Sequence, residues 1–165
     1  MANKSKKTSK KVSKKIPKRA GKKAASHKTV TRSQLRGGAV STEKTTLDTL
    51  YIVNSSNNQI TLEVNAGGQG QTSDMTIMLD DIIIVENLAG DFTETALGTN
   101  KQLNGKKLSI VATIADTSRE TNLTSLTIHL KGGVAANDFP LSKTVDEEGD
   151  SEDYMCLIEF FNPLL

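Results

Sequence analysis

The positive and negative charges of this 165-residue chain lie in different parts of the sequence. Residues 1–41 contain 14 Lys and Arg residues and no Asp or Glu, whereas all 19 acidic residues follow with the other seven basic ones. The two parts carry net charges of +14 and −12, although the whole chain has a net charge of only +2. With so few apolar residues, the basic part cannot bury enough surface to offset its ordering entropy. We therefore expect a disordered N-terminal region that binds anions, followed by one folded acidic domain.

The basic arm, defined here as residues 1–28, has an internal repeat. Residues 5–24 form five tetrads with two basic residues at the centre of each, and Pro17 and the repeated like charges disfavour a helix. An extended chain would present a pair of cations roughly every 13 Å, which suits a phosphate backbone. The arm has no aromatic residue to stack on bases, so sequence-independent binding is expected. The predicted polyanion-binding residues are Lys6, Lys7, Lys10, Lys11, Lys14, Lys15, Lys18, Arg19, Lys22 and Lys23.

The Lys pairs of the arm, spaced by Ser, Ala, Val, Pro and Gly, resemble the lysine-rich tails of linker histones and of small bacterial histone-like proteins. The resemblance implies nucleic-acid binding through the phosphate backbone. Three other interpretations remain open for the arm: a device that keeps the protein soluble, an assembly element that contacts an acidic surface of a neighbouring subunit, and a targeting or export leader.

Residues 29–46 are rich in Thr, Ser and Gly, which predicts a linker, and residues 47–165 form the predicted acidic domain. Apolar residues alternate along the domain, which indicates strands. The density of strands and turns favours an all-β fold, an antiparallel two-sheet sandwich or jelly roll of about seven or eight strands. The pair Asn104-Gly105 is typical of a hairpin. The predicted strands cover 50–53, 59–65, 75–79, 82–88, 108–114, 126–130, 141–145 and 154–161.

The residues suited to catalysis are few. His27 lies in the basic arm, and His129 is expected to face outward from a strand. Cys156 is the single cysteine, so no disulfide within the chain and no ordinary Cys-His zinc site can form. A Cys156–His129 nucleophile pair is less favoured than a buried structural cysteine. We expect a protein that is not an enzyme and has no cofactor or metal site.

An acidic cluster lies before the last predicted strand. It has three open interpretations: a solvated loop, a weak calcium site, or a surface that binds the basic arm of its own chain or of a neighbour. The residues of this arm-docking hypothesis are Asp146, Glu147, Glu148, Asp150, Glu152 and Asp153.

The C-terminal residues are apolar, although chain ends are usually polar unless they are covered. They either pack against the core of the domain or form an interface with a partner or a second copy. The candidate interface residues are Phe160, Phe161, Leu164 and Leu165.

The longest apolar run, Ile82–Val85, is far too short for a membrane span, and no apolar segment of a signal peptide follows the first lysines. We therefore expect an intracellular protein in a nucleoid, a nucleus or an assembled particle. The predicted function is that of a non-enzymatic binding and assembly protein. The alternatives are a subunit of a larger particle, since the layout resembles small viral coat proteins with an RNA-neutralising arm, and a cargo or accessory protein of a delivery machine.

Overall fold

The structure is a computed structural model, and it describes residues 44–68, 71–118 and 121–164. The basic arm and most of the predicted linker lie outside the described residues, so the expected disorder of the arm stays a prediction. The described fold begins at Thr45, slightly before the predicted boundary at residue 47. Thr45 and Thr46 already pair in register with Tyr154 and Met155, which extends the first strand into the predicted linker.

The described residues form nine strands and one helical turn. The helical turn is α1 (Asn100–Leu103), capped by Thr99, whose hydroxyl accepts a hydrogen bond from the backbone of Gln102. The strands are β1 (Thr45–Ile52), β2 (Gln59–Ala66), β3 (Gln71–Leu79), β4 (Ile82–Leu88), β5 (Phe92–Thr99), β6 (Lys107–Asp116), β7 (Leu123–Lys131), β8 (Asn137–Thr144) and β9 (Ser151–Phe161).

The strands form two sheets. Sheet A has five strands in the order β1-β9-β6-β3-β4, and sheet B has four in the order β5-β2-β7-β8. All neighbouring strands are antiparallel except β1 and β9, which run parallel. The predicted all-β sandwich of two mainly antiparallel sheets is confirmed, with nine strands instead of seven or eight.

The core lies between the sheets and follows the predicted alternation. In β6, residues Leu108, Ile110, Ala112 and Ile114 are fully buried, and in β7 the same holds for Leu126, Ile128 and Leu130. The largest buried side chains are Tyr51, Tyr154 and Phe160. Because each strand contributes every second residue, the outer faces of both sheets are left for contacts with solvent or partners.

Two features of the connections differ from the sequence predictions. The strand β5 and the helix α1 were missed, because Phe92–Thr99 is half-exposed at a sheet edge and lacks clean alternation. Asn104-Gly105 is not a hairpin turn: it joins α1 to β6, and Asn104 caps the helix. The tight hairpin instead joins β3 to β4 at Asp80 and Asp81, whose φ angles of 48° and 63° suit a type I′ turn.

Among the described residues, no helix has the length and apolar character that a membrane crossing requires.

Candidate functional site

The ten predicted polyanion-binding residues, Lys6 to Lys23, all lie outside the described residues. The described domain therefore contributes the remaining candidate surfaces: an acidic end, the C-terminal residues and the edges of the two sheets. Each is built by a different part of the sandwich.

The acidic end of the domain is where β1 and β9 begin. The hydroxyl of Thr45 donates a hydrogen bond to Glu152 Oε1 at 2.7 Å, which joins the first residue of β1 to the acidic segment. The turn over 145–150 is closed by Asp150, which accepts a hydrogen bond from the backbone N–H of Glu147 at 2.9 Å. The backbone of Asp116, at the end of β6, bonds to Asp150 and Gly149, so the turn is anchored to sheet A.

The predicted acidic loop is divided by the structure. Asp146, Glu147, Glu148 and Asp150 lie in the turn and are exposed. Glu152 and Asp153 are not loop residues, because β9 already begins at Ser151. Glu152 faces inward and is only 8% exposed, while Asp153 accepts a hydrogen bond from the Thr113 hydroxyl at 2.8 Å. The exposed part of the predicted acidic loop is therefore the four-residue acidic turn, Asp146, Glu147, Glu148 and Asp150.

Asp116 is a buried carboxylate that the sequence analysis did not single out. Its Oδ1 accepts a hydrogen bond from the backbone of Ser118 at 3.0 Å, while its Oδ2 has no hydrogen-bond partner in the structure. Gln71, its register partner on β3, has an equally unpartnered buried Oε1. A signal was present, since Asp116 continues the inward-facing series of β6. Within residues 44–68, 71–118 and 121–164, no three His, Cys, Asp or Glu residues are grouped as a metal site requires.

His129 faces outward from sheet B, as predicted, and both of its ring nitrogens are engaged. Nδ1 lies 2.6 Å from Asp138 Oδ1, and Nε2 lies 3.1 Å from Asn65 Nδ2. The carboxylate can only accept, so Nδ1 is the donor in its contact with Asp138. Cys156 instead lies in the core, where burial raises the pKa of its thiol to about 12. The Cys156–His129 pair considered from the sequence is therefore not formed.

The C-terminal residues are divided between the core and the surface. Phe160 is fully buried, and its ring meets Tyr51 edge to face with centroids 5.9 Å apart. It is thus a core residue and not part of an exposed interface. Phe161 is 42% exposed and Leu164 is 88% exposed, so the interface hypothesis rests on these two residues. Leu165 lies outside the described residues.

An exposed apolar segment lies at the edge of sheet A, in strand β4. Ile82 and Ile83 are 68% and 53% exposed, and Ile84 is also exposed. A strand over 82–88 was predicted from the sequence, and the structure confirms it. Its position at a sheet edge could not be read from the sequence, because strand order depends on long-range pairing.

The candidate surfaces of the described domain are therefore an acidic turn, two exposed C-terminal apolar residues and an apolar strand edge. Comparison of the chain with models of protein families, with curated proteins and with solved structures found no match.

Proposed function

We propose that this is a non-enzymatic binding and assembly protein. Its basic arm binds a polyanion, with nucleic acid as the favoured one, and its β-sandwich binds a protein partner or a second copy. The observation that carries the proposal is the separation of charge, +14 over residues 1–41 and −12 over the rest. A segment that is rich in Lys and Arg and contains no acidic residue is typical of an arm that binds an anionic partner.

The physical basis of polyanion binding is counterion release. Each phosphate that a Lys or Arg neutralises releases condensed cations from a duplex, with a log-log salt slope of about −0.9 per contact. Contact by half of the 14 basic residues within residues 1–41 corresponds to a slope of about −6. Such binding is strong at low salt and independent of base sequence, because contacts to phosphates carry no base-sequence information.

The direct test compares the whole chain with a variant in which the ten predicted polyanion-binding residues, Lys6 to Lys23, are replaced by Gln. Fluorescence anisotropy would measure binding to two DNA duplexes of the same length and unrelated sequence. We expect the whole chain to bind both duplexes with equal affinity and the variant to bind both much more weakly at the same salt concentration. Equal binding by both proteins would exclude the arm as the polyanion site.

The acidic turn supports a second role, as the surface that binds the basic arm of a neighbouring copy. Its four carboxylates, Asp146, Glu147, Glu148 and Asp150, are exposed and closely spaced in one turn. If the turn binds an arm, nucleic acid must displace it, and neutralising the turn strengthens nucleic-acid binding.

A matched control separates this role from the general effect of charge. One variant replaces the four turn residues by Asn and Gln, and a second replaces Asp48, Asp74, Asp81 and Glu86, which are also exposed. Both variants lose four negative charges, so a general electrostatic effect is equal in the two. Stronger DNA binding by the first variant alone supports the docking role, and equal affinities remove it.

The particle alternative predicts a different size in solution. Size-exclusion chromatography with light scattering should show a monomer or small oligomer for a binding protein. Large closed assemblies would favour the coat-like subunit instead.

A further inference from the structure

Strand β4 is one of the two edges of sheet A and pairs with β3 on one side only. On its other side, none of the described residues forms a strand, so one row of backbone N–H and C=O groups faces outward. The first four side chains of β4, Ile82 to Val85, are apolar, with Ile82 and Ile83 more than half exposed. An exposed apolar edge is the arrangement to which an additional strand binds.

The other three edges carry features that oppose strand addition. Strand β8 contains Pro140, which lacks an amide hydrogen, and β5 pairs irregularly with β2 through two register shifts. Strand β1 has the exposed acidic residue Asp48 at its centre. Strand β4 shares part of this protection, since Glu86 is charged and its own pairing with β3 has two register shifts. It differs in its three consecutive exposed isoleucines, Ile82 to Ile84, because no other edge strand of the described sandwich has an exposed apolar run.

The ends of the apolar run determine the kind of strand that fits. Asp81 precedes Ile82 in the turn, and Glu86 follows Val85, and both acidic side chains are exposed. No ion pair or hydrogen bond joins the side chain of either residue to another described residue. The apolar run is therefore bordered at both ends by carboxylates that are available to an external cation.

A second copy of β4 is a poor partner for this edge. Antiparallel pairing of two β4 strands about a two-fold axis would bring Asp81 of one copy near Glu86 of the other at both ends of the run. Like charges facing each other across paired strands are unfavourable. A strand with basic residues at both ends reverses the sign of both interactions.

We propose that the β4 edge binds an extended apolar peptide segment flanked by Lys or Arg, which adds to sheet A as a sixth strand. Backbone hydrogen bonds supply the affinity, the isoleucines supply apolar contacts, and Asp81 and Glu86 select the flanking charges. The inference rests on the proposed partner-binding role of the sandwich, and it is independent of the basic arm.

The irregular pairing of β3 with β4 limits the length of the bound segment. Ile83 lies opposite Met78, but Val85 lies opposite Ile77, so Ile84 is an extra residue in a bulge. Bulges bend a strand and interrupt regular pairing. The partner segment is therefore short, about four to six residues, the length of an ordinary strand.

The test uses the whole chain and three labelled synthetic peptides. The first and second peptides share the same core, and the first and third share the same basic ends. The first has alternating Thr and Val between Lys and Arg ends, the second has Gln at both ends, and the third keeps the basic ends but has Pro in the core. Fluorescence anisotropy should give a dissociation constant about tenfold lower for the first peptide than for the second. The third should not bind, because Pro removes a backbone donor.

Variants locate the binding site. Ile83→Lys should abolish binding of the basic-ended peptide, whereas Val134→Lys, at an equally exposed apolar residue in the β7–β8 connection, should not. If Ile83→Lys does not fold, Ile83→Thr keeps a strand-forming residue and should weaken binding. The double variant Asp81→Asn, Glu86→Lys should remove the preference for basic ends. Hydrogen exchange should show slower exchange of β4 amides when the first peptide is bound.

Several results would overturn the inference. These are equal affinity for the first and third peptides, binding that survives Ile83→Lys, and loss of peptide binding when only the acidic turn is neutralised. A dimer in light scattering that Ile83→Lys dissociates would show that the occupant is a second copy. DNA binding measured on the same sample separates this inference from the proposed function, since the arm can bind DNA whether or not β4 binds peptide.

Discussion

The side-chain oxygen of Asn100 accepts a hydrogen bond from the backbone N–H of Asn54 at 3.1 Å, which joins the start of α1 to the turn after β1. The amide nitrogen of Asn100 donates to the carbonyl oxygens of Asn58 and Gly132, at 2.9 Å and 2.8 Å. Asn100 is fully buried. Its three hydrogen bonds join α1 to the β1–β2 connection and to the β7–β8 connection, at the end of the sandwich opposite the acidic turn.

Replacing Asn100 by Ala should destabilise the domain by about 2–3 kcal/mol, because the N–H of Asn54 and the carbonyl of Gly132 lose a partner, while the Asn58 carbonyl keeps the backbone N–H of residue 100. Urea unfolding of the variant would measure this cost. Asn57→Ala is a suitable control, since Asn57 is an exposed residue of the same turn region. A cost below about 1 kcal/mol for Asn100→Ala would show that the turns hold together without it.

Gly132 should not tolerate a side chain. A Cβ atom there would lie 1.9 Å from the carbonyl oxygen of Gln59, and the φ of +92° disfavours any residue with a side chain. Gly90 has a similar φ of +82°, but a Cβ atom would meet nothing within 4 Å. We expect Gly90→Ala to cost about 1–2 kcal/mol, the strain of the left-handed conformation, and Gly132→Ala clearly more. Equal shifts in thermal unfolding would contradict the steric argument.

The fold class could be predicted from the sequence because apolar residues occupy every second position of the strands so regularly. Leu108, Ile110, Ala112 and Ile114 are all buried, as the period of two requires. Strand β5 could not be predicted from the sequence, because an edge strand gains most of its stability from pairing and needs no regular apolar face. Strand order and the parallel pairing of β1 with β9 are equally long-range, and no local pattern encodes them.

The candidate surfaces were only partly predictable. The acidic composition of residues 146–153 was visible, but its division between the exposed turn and the inward-facing Glu152 depends on where β9 begins. Phe160 and Phe161 are adjacent and alike in sequence, and alternation along β9 places one in the core and the other on the surface. The predicted strands 75–79 and 82–88 left Asp80-Asp81 as their connection, but the pair was not identified as a tight hairpin turn, because the left-handed backbone is more typical of Asn-Gly or Asp-Gly.

The thiol of Cys156 should be unreactive in the native protein. Burial raises its pKa to about 12, and the thiolate is the reactive form. Reaction with an aromatic disulfide reagent at pH 8 should therefore be negligible for the folded chain and rapid in denaturant. Rapid modification without loss of the folded spectrum would show that the thiol is accessible.

The stability of the β3–β4 hairpin should depend on pH through Asp80. Its carboxylate accepts the backbone N–H of Lys107 at 2.8 Å and pairs with Lys106 at 3.2 Å. These contacts hold the pKa of Asp80 below its ordinary value of 3.8, with the backbone hydrogen bond as the larger cause. The stabilisation is therefore complete above the ordinary pKa and is lost as the pH falls through the lower pKa of the folded state.

Asp80→Asn tests this pH dependence, because Asn also tolerates a positive φ. The wild-type chain should be more stable than the variant at neutral pH, and the difference should disappear as the pH falls well below 3.8. Chemical unfolding across this range would show it. A difference that is unchanged at acidic pH would mean that the charge of Asp80 contributes nothing.

The central claim is that the basic arm binds polyanions by neutralising phosphates. The most direct test is the salt dependence of duplex DNA binding, measured for the whole chain and for the variant with Gln at the ten predicted polyanion-binding residues, Lys6 to Lys23. The account predicts that the logarithm of the binding constant falls with the logarithm of the salt concentration with a slope of about −6 for the whole chain. For the variant, which keeps four of the 14 basic residues within residues 1–41, the predicted slope is about −2. Equal slopes and equal affinities for the two proteins would contradict it.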